Sequence, residues 1–329
     1  MSRFHRPAIL LASASIAAGI LVAPSAAYAA DTTTQLTKAQ MKAELSEVAK
    51  ATESASVAGW GGTYKVTISG AEGGATFAID PTGGRAYYEF TVDRETSAGY
   101  AVANKGSYEH FQTRAEYAAA KLLGRPSAKF VFTTNTKLDL DDWVDDNEPR
   151  PSIMLADSAN HAGTKTVHDD GSSTYSYEVP EDAVTTIEVG EDGVLDSVGV
   201  SYPPLLSQTL AYAYGPQTVT LPSADQTVSR AALTKALAYV DMPAATKDVA
   251  TRSAKATLKA AKGKKVTVAN LRKIARNTAA AHNATANEKV LAVTNVKDGV
   301  RVSAKNPYTG QKVSYTLKAS GKKVIMRKA

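Results

Sequence analysis

The residues of this 329-residue chain that could do chemistry are few and scattered. His110, His161, His168 and His282 lie in separate segments and lack the spacing of metal ligands. The sequence contains no Gly-x-Ser-x-Gly elbow, no P-loop and no His-Glu-x-x-His motif. It contains no cysteine, which excludes disulfides, thiol catalysis and zinc–thiolate sites. We therefore predict no catalytic residue, no metal site and no cofactor, and we expect that the protein is not an enzyme.

One acidic cluster, Asp139 to Asp146, is the exception to this pattern. Carboxylates at this density can bind calcium, but the cluster lacks the glycine and the closing glutamate of an EF-hand loop, and Trp143 and Val144 interrupt it. A solvated loop or the start of a helix explains the same residues. A secreted hydrolase that uses Asp141 and Asp142 is a further alternative, which loss of activity in Asp141→Ala and Asp142→Ala would have to support.

The N-terminus has the pattern of a secretory signal peptide. Arg3, His5 and Arg6 precede an apolar, alanine-rich run from Ala8 to Val22, and Ala27-Tyr28-Ala29 fits a small-x-small cleavage site. We predict that residues 1–30 are a signal peptide cleaved after Ala29 or Ala30, and that the mature protein is secreted, extracellular or associated with the cell wall. Because no cysteine follows, a lipid anchor of the lipoprotein kind is not expected.

Charge divides the remaining chain at Pro222. Residues 31–222 contain 14 Lys/Arg and 27 Asp/Glu, whereas residues 223–329 contain 22 Lys/Arg and 5 Asp/Glu. We predict two domains, an acidic domain over 31–222 and a basic domain over 223–329. The opposite charges leave two alternatives open, because the two halves could dock on each other or the basic half could bind an external anionic partner.

The acidic half predicts an α+β fold. Leu36 to Ala55 has the apolar period of a helix, with Thr37 as a possible N-cap. Short runs with a period of two follow, as expected for an antiparallel sheet with one covered face. A meander from Gly163 to Pro222, with Asp-Gly turns at Asp170-Gly171 and Asp192-Gly193, completes it. We expect a curved antiparallel sheet with covering helices.

The apolar side of these strands is rich in aromatic residues, which either fill a core or line an apolar cavity. If the sheet is hollow, the candidate lining residues of the cavity are Tyr64, Val66, Phe77, Tyr88, Phe90, Phe130 and Phe132.

Residues 39–222 resemble the LolA-like lipoprotein carriers, in particular the LppX/LprG branch of actinobacterial envelopes. The resemblance rests on the helix followed by a β-meander, the Asp80-Pro-Thr-Gly-Gly84 hairpin, the segment from Gly106 to Thr113 and the closing segment from Ala213 to Pro222. It implies a half-open β-barrel with helices over the hollow, which carries lipid or acyl chains. Many of those relatives are anchored through a cysteine, which this chain lacks.

The basic half predicts helices over about 229–281 and antiparallel strands over about 290–327. It contains no Phe or Trp and no known DNA or RNA motif, so nucleic acid is not the expected partner. An anionic cell-wall polymer or membrane surface fits the charge, and a merely solvated basic face is the alternative. The candidate residues for such a patch are Lys264, Lys265, Arg272, Lys273 and Arg276.

Together these features predict an exported envelope protein that binds or carries a hydrophobic ligand, such as a lipid or an acyl chain. The alternative is a regulatory or sensory envelope module that binds a protein partner and transports no lipid.

Overall fold

The computed structural model describes residues 31–92, 95–147, 150–179 and 183–329. The predicted signal peptide, residues 1–30, lies outside the described residues. Within the described ranges, none of the helices combines the length and the apolar character that a membrane crossing requires.

Most strands join one large sheet, in which all pairings are antiparallel except the one at the end of the strand order. Its strands are β1 (Thr32–Leu36), β2 (Trp60–Ile68), β3 (Ala71–Asp80), β4 (Arg85–Val92), β5 (Glu95–Val102), β6 (Gly106–His110), β7 (Phe130–Thr134), β8 (Gly163–Val167), β9 (Ser173–Val179), β10 (Ala183–Val189), β11 (Leu195–Tyr202), β12 (Leu206–Tyr214) and β13 (Thr227–Ser229).

Two consecutive meanders are joined side by side in this sheet. Strands β2 to β7 are neighbours in chain order, as are β8 to β12, and β12 pairs with β2 to connect the two sets. The predicted turns Asp170-Gly171 and Asp192-Gly193 connect β8 to β9 and β10 to β11, with Gly171 and Gly193 at positive φ. Strands β1 and β13 end the order, so the sheet of the described residues is open.

The two faces of the large sheet are named here by residues that they carry. We call the face that carries Tyr64, Ala75 and Phe90 the first face; these three residues are directly opposite one another on β2, β3 and β4. The second face carries Tyr87 and Tyr100, which are opposite one another on β4 and β5.

Four helices lie among the strands of the large sheet in the sequence: α1 (Lys38–Ser56), α2 (Arg114–Leu122), α3 (Leu140–Asn147) and α4 (Pro151–Ser158).

Helix α1 follows the predicted pattern closely. Thr37 caps it through a capping box with Gln40, so the first free amide groups of the helix are satisfied. The buried side of α1 consists of Met41, Leu45 and Val48. It packs against Ile187 and Val198 of the first face and against Leu155 of α4. Helix α3 covers the neighbouring part of the first face through Val144, which packs with Phe77, Ile79 and Leu210.

The last part of the chain contains α5 (Arg230–Val240), α6 (Met242–Ala261), α7 (Val268–Thr285), β14 (Leu291–Val296), β15 (Gly299–Lys305), β16 (Lys312–Ser320) and β17 (Lys323–Lys328). From α6 onward these elements build a second, smaller unit. Helices α6 and α7 cover one face of a four-stranded antiparallel sheet with the order β14-β15-β16-β17. The buried residues Val300, Val302 and Leu317 of that sheet pack with Val249 of α6 and Leu271 of α7.

The chain just beyond Pro222 returns to the large sheet. Strand β13 runs parallel to β7, and helix α5 packs on α2. Leu233 and Ala236 of α5 share a buried cluster with Val131 of β7 and Ala119 of α2. The α+β class that the sequence predicts is confirmed by the helices and the two sheets. The curved half-barrel that the sequence also predicts is not found, because the large sheet is open, and the division at Pro222 stays a prediction.

Candidate functional site

The first face contains an open apolar groove of about 310 Å³. Most of its wall is one row of side chains that are directly opposite one another across the sheet, from Val198 on β11 through Leu210, Tyr64 and Ala75 to Phe90 on β4. The next row adds Val200 and Gln208, and α3 and α4 contribute Asn147 and Met154. The groove therefore combines residues from both meanders of the sheet.

A small residue creates the space in this groove. Ala75 lies between the larger side chains of Tyr64 and Phe90 in the first row. In the second row the side chains of Val66 and Val92 fill the space above Gly73, because a Cβ there would lie 3.3 Å from Cγ1 of Val66 and 3.2 Å from Cγ2 of Val92. A larger residue in place of Ala75 would reduce the depth of the groove.

Apolar side chains remain exposed on the first face around this space. Phe90 is 39% exposed, and Ile68, at the end of β2, is 57% exposed. Val92 is also exposed. A patch of exposed apolar side chains often marks a binding site.

One hydrogen bond provides polar character within the groove. The hydroxyl of Tyr64 donates to Oε1 of Gln208 at 3.1 Å. Both residues belong to the lining, to which Asn147 adds a second amide, so a ligand that is mostly apolar but carries one polar group finds hydrogen-bonding groups on a mainly apolar wall.

The structure does not bring the seven predicted lining residues together. Tyr64 and Phe90 line the groove, and Val66 lies on the same face beside it. Phe77 and Tyr88 also belong to the first face, but they fill the core: Phe77 is 2% exposed, and the ring of Tyr88 stacks on Trp143 of α3 at 5.7 Å.

Phe130 and Phe132 lie on the second face. Phe132 is opposite Tyr108, which is opposite Tyr100, and so shares the face of Tyr100. The ring of Phe130 lies 5.5 Å from that of Tyr100, and the ring of Phe132 lies 4.7 Å from that of Tyr108. Phe130 and Phe132 therefore lie on the opposite side of the sheet from Tyr64 and do not line the same groove.

Sequence reasoning missed the half of the wall that comes from β11, β12 and α4. Val198, Val200, Leu210 and Met154 line the groove, although more than 60 residues separate each of them from Tyr64 in the chain. The alternating pattern around Val198, Val200 and Leu210 is typical of one side of a strand, but the pairing of β12 with β2 has no local signal. Knowledge of that one pairing would have identified these three strand residues, but not Met154, which lies on helix α4.

The acidic cluster is explained by local structure. Asp139 accepts a hydrogen bond from the backbone N–H of Asp141 at 2.8 Å, at the start of α3. Arg150 forms ion pairs with Asp141, at 3.0 Å, and with Asp145, and the hydrogen bond to Asp145 raises the pKa of Arg150. Among the residues that the structure describes, no group of three or more His, Asp or Glu could hold a metal ion.

The histidines lie apart from one another, in different surroundings. His110 packs against Phe130, and His161 stacks on Tyr177 with ring centroids 4.5 Å apart. His168 is within 3.0 Å of Asp31 and 2.7 Å of the hydroxyl of Thr174, which in turn donates to Glu188. These polar contacts connect the end of β8, β9 and β10 with Asp31, the residue before β1.

The predicted basic patch contains two different kinds of residue. Arg272 donates to the backbone carbonyls of Val296 and Gly299, and Arg276 donates to the side chain of Asn295, so these two arginines hold the β14–β15 hairpin against α7. The other three patch residues are exposed: Lys264, Lys265 and Lys273.

Comparison with known proteins finds distant structural likenesses. No family model matches the chain, and no curated protein matches its sequence. Among solved structures, the chain is similar to the lipoprotein LppX of Mycobacterium tuberculosis, with 8% identity and a TM-score of 0.32, over 55% of this chain and 98% of that one. It is also similar to an uncharacterized conserved protein from Thermus thermophilus, with 12% identity and a TM-score of 0.25, over 56% of this chain and 98% of that one. Values this low do not place the chain in a family.

Proposed function

We propose that the protein is an exported, non-enzymatic envelope protein that holds an acyl chain or another elongated apolar group in the groove of the first face. The observation that carries this proposal is the groove itself, an open apolar space bordered by exposed aromatic and aliphatic side chains. In this proposal the open sheet acts as the half-barrel of a LolA-like fold, with α3 and α4 as covering helices.

The energetics of the groove favour an apolar ligand. Burial of apolar surface contributes about 25 cal/mol per Å², and the exposed ring of Phe90 offers such surface without the cost of first unfolding a core. The volume of about 310 Å³ lies at the lower end of ordinary ligand sites. The bond between Tyr64 and Gln208 could exchange for a bond to one polar group of the ligand.

A second candidate is a regulatory module that binds an apolar segment of a protein partner on the same face. Ile68 at the end of β2 and Leu205 before β12 are both more exposed than Phe90, which gives a broader apolar margin than a single acyl chain needs. Copurification of a stoichiometric protein without lipid would favour this candidate.

A pair of variants on one strand tests the proposal. Ala75→Phe places a ring between Tyr64 and Phe90 and should fill the groove, whereas Thr76→Phe adds the same ring to the opposite, exposed face of β3. We expect that an acyl-chain fluorescent probe binds the wild type and Thr76→Phe alike, and that Ala75→Phe weakens binding at least tenfold without a loss of secondary structure.

Organic extraction of the purified wild type and mass spectrometry provide the second readout. A bound lipid that Ala75→Phe lacks would support the proposal. Equal probe binding by both variants, or no lipid and no probe binding in the wild type, would contradict it.

A further inference from the structure

The outward face of the four-stranded sheet carries a regular array of cations. Inward residues such as Val302 and Leu317 pack on the helices, so their neighbours along each strand point away from them. On β15 these are Arg301 and Lys305, and on β16 Lys312 and Lys318, all of them exposed. Arg327 on β17 belongs to the same face because it is opposite Thr316, which is opposite Arg301.

Few anionic groups accompany these cations. Residues 289–329 contain ten Lys/Arg and a single acidic residue, Asp298, which lies in the turn between β14 and β15. None of the ion pairs found among the described residues involves a cation of this segment. One carboxyl group does lie on this face, that of Ala329, which accepts a hydrogen bond from the hydroxyl of Ser314 at 3.0 Å and lines the same surface as the cations, so the positive charge is only partly neutralised from within the described residues.

The register brings like charges together. Lys305 and Lys312 are directly opposite each other on β15 and β16. Like charges at opposite positions of a strand pair destabilise the pair. Arg301 and Arg327 are separated by Thr316 alone, which places them two strand spacings, about 10 Å, apart. An external anion between such pairs would remove the repulsion.

The outward face is grooved and hydroxyl-rich. One depression of about 560 Å³ includes Arg301, Ser303, Lys305, Lys312 and Ser314. A second, of about 200 Å³, continues on β16 and β17 with Thr316, Lys318, Ile325 and Arg327. Serine and threonine hydroxyls donate hydrogen bonds to phosphate oxygens, as the neighbouring Lys and Arg do.

We propose that this outward face binds a linear polymer that carries regularly spaced phosphate groups. Successive depressions across the strands suit a chain better than a planar membrane surface, and the lining of both depressions contains no aromatic side chain on which a nucleic-acid base could stack. The site differs from the patch that the sequence predicted on α7 and the preceding loop, and it stands independently of the apolar groove.

Two triple variants of the full chain compare the two basic surfaces at equal charge. Arg301→Gln with Lys305→Gln and Lys312→Gln removes three charges from the outward face, and Lys264→Gln with Lys265→Gln and Lys273→Gln removes three exposed charges from the predicted patch. With long-chain inorganic polyphosphate as the probe, we expect the first triple variant to bind about tenfold more weakly than wild type and the second to bind within about twofold of it. The slope of log affinity against log salt should fall by about 2 in the first variant only, at about 0.7 per lost contact.

Thermal unfolding supplies an independent readout. Polyphosphate should raise the unfolding temperature of the wild type and of the second triple variant, but not that of the first. Without polyphosphate the first variant should be at least as stable as wild type, because Lys305 and Lys312 no longer repel.

Three results would overturn the proposal. Equal losses in both triple variants would show that net charge alone attracts the polymer, and an unchanged affinity in the first variant would place the site elsewhere. Binding to phosphatidylglycerol vesicles that exceeds polyphosphate binding, with the same dependence on Arg301, Lys305 and Lys312, would assign the face to a membrane surface. The polyphosphate experiments do not depend on the apolar groove. Whether or not Ala75→Phe loses lipid binding, these three results keep their meaning.

Discussion

Two glycines explain why two of the predicted cavity residues, Phe77 and Tyr88, pack into the core. A Cβ on Gly99 would lie 2.6 Å from the ring of Tyr88, and a Cβ on Gly62 would lie 2.6 Å from the ring of Phe77. The rings thus occupy the space above neighbouring glycines on the same face. An aromatic residue opposite a glycine fills a gap and leaves no cavity, whereas Phe90 is opposite Ser97 and Ala75 and stays partly exposed.

His110 shows how burial of a single side chain should affect stability. It is half-buried on the second face against Phe130 and Tyr117. This burial lowers the pKa of its imidazole below the ordinary value. The charge of Lys129 lowers the pKa further, while the hydrogen bond with the backbone of Phe111 and the charge of Glu89 raise it. Above about pH 6.5 the ring is neutral in the folded and unfolded chains alike. Below that pH the unfolded chain takes up the proton first, so the free energy of unfolding should fall as the pH falls.

The test is denaturant unfolding of wild type and His110→Phe between about pH 5 and about pH 8, where histidines titrate. Phenylalanine keeps an aromatic ring in the cluster but cannot be protonated. We expect the stability of the variant to fall less steeply below about pH 6.5. Parallel pH profiles for the two proteins would contradict the assignment.

At the scale of elements, one buried hydroxyl connects α1 to the sheet. Thr52 is fully buried, and its Oγ1 accepts the backbone N–H of Leu195 on β11 at 3.0 Å. The hydroxyl of Tyr214 on β12 donates to the carbonyl of the same Leu195 at 2.6 Å, and burial raises the pKa of Tyr214. Both backbone groups of Leu195 are therefore satisfied by side chains from other elements.

Thr52→Val should break this connection. Valine has nearly the same shape but leaves the N–H of Leu195 buried without a partner, which costs about 1–3 kcal/mol of unfolding free energy. Thr52→Ser keeps the hydroxyl and should cost clearly less. Chemical denaturation of both variants measures the difference, and equal losses would show that the methyl group of Thr52, and not its hydrogen bond, matters.

Elements with a local signal were predicted well from the sequence, and pairings between distant strands were not. The expected helix from Leu36 to Ala55 is α1, and the helices expected over about 229–281 are α5, α6 and α7. By contrast, the pairing of β1 with β8 joins Thr34 to Lys165, and nothing in the period of either strand specifies the other. The groove depends on such a distant pairing, which is why only Tyr64 and Phe90 of its lining were predicted.

At the scale of the whole molecule, apolar contacts do more than opposite charge to join the two halves. Among the described residues, Arg230 and Glu109 form the only ion pair that joins the chain before Pro222 to the chain after it. The larger contact is the cluster in which α5 packs on α2 and β7. The two halves do dock, but most of their charge remains available to other partners.

Truncation tests where the first unit ends. A chain of residues 31–222 would lack β13 and α5 and would expose Val131 and Ala119, which are buried in the full chain. A chain of residues 31–240 keeps them covered. We expect the longer chain to unfold cooperatively and the shorter chain to be less stable by several kcal/mol, since each large side chain such as Leu233 contributes about 1.5–3 kcal/mol on burial.

Circular dichroism melting and binding of an apolar dye measure this difference. The shorter chain should bind more dye and melt at a lower temperature. If both chains melt alike, β13 and α5 are dispensable and the first unit ends at Pro222.

The pairing of β7 with β13 also has a consequence for the order of synthesis. Strand β7 ends at Thr134 and its neighbour begins at Thr227, so more than 90 residues are added before that edge acquires a partner. At about 5–20 residues per second, this interval lasts from about 5 s to about 20 s. During it the nascent chain presents an unpaired strand of Phe130-Val131-Phe132, the kind of edge that recruits other strands. Until β13 pairs with it, this edge of β7 is therefore a site at which a strand of another chain could add.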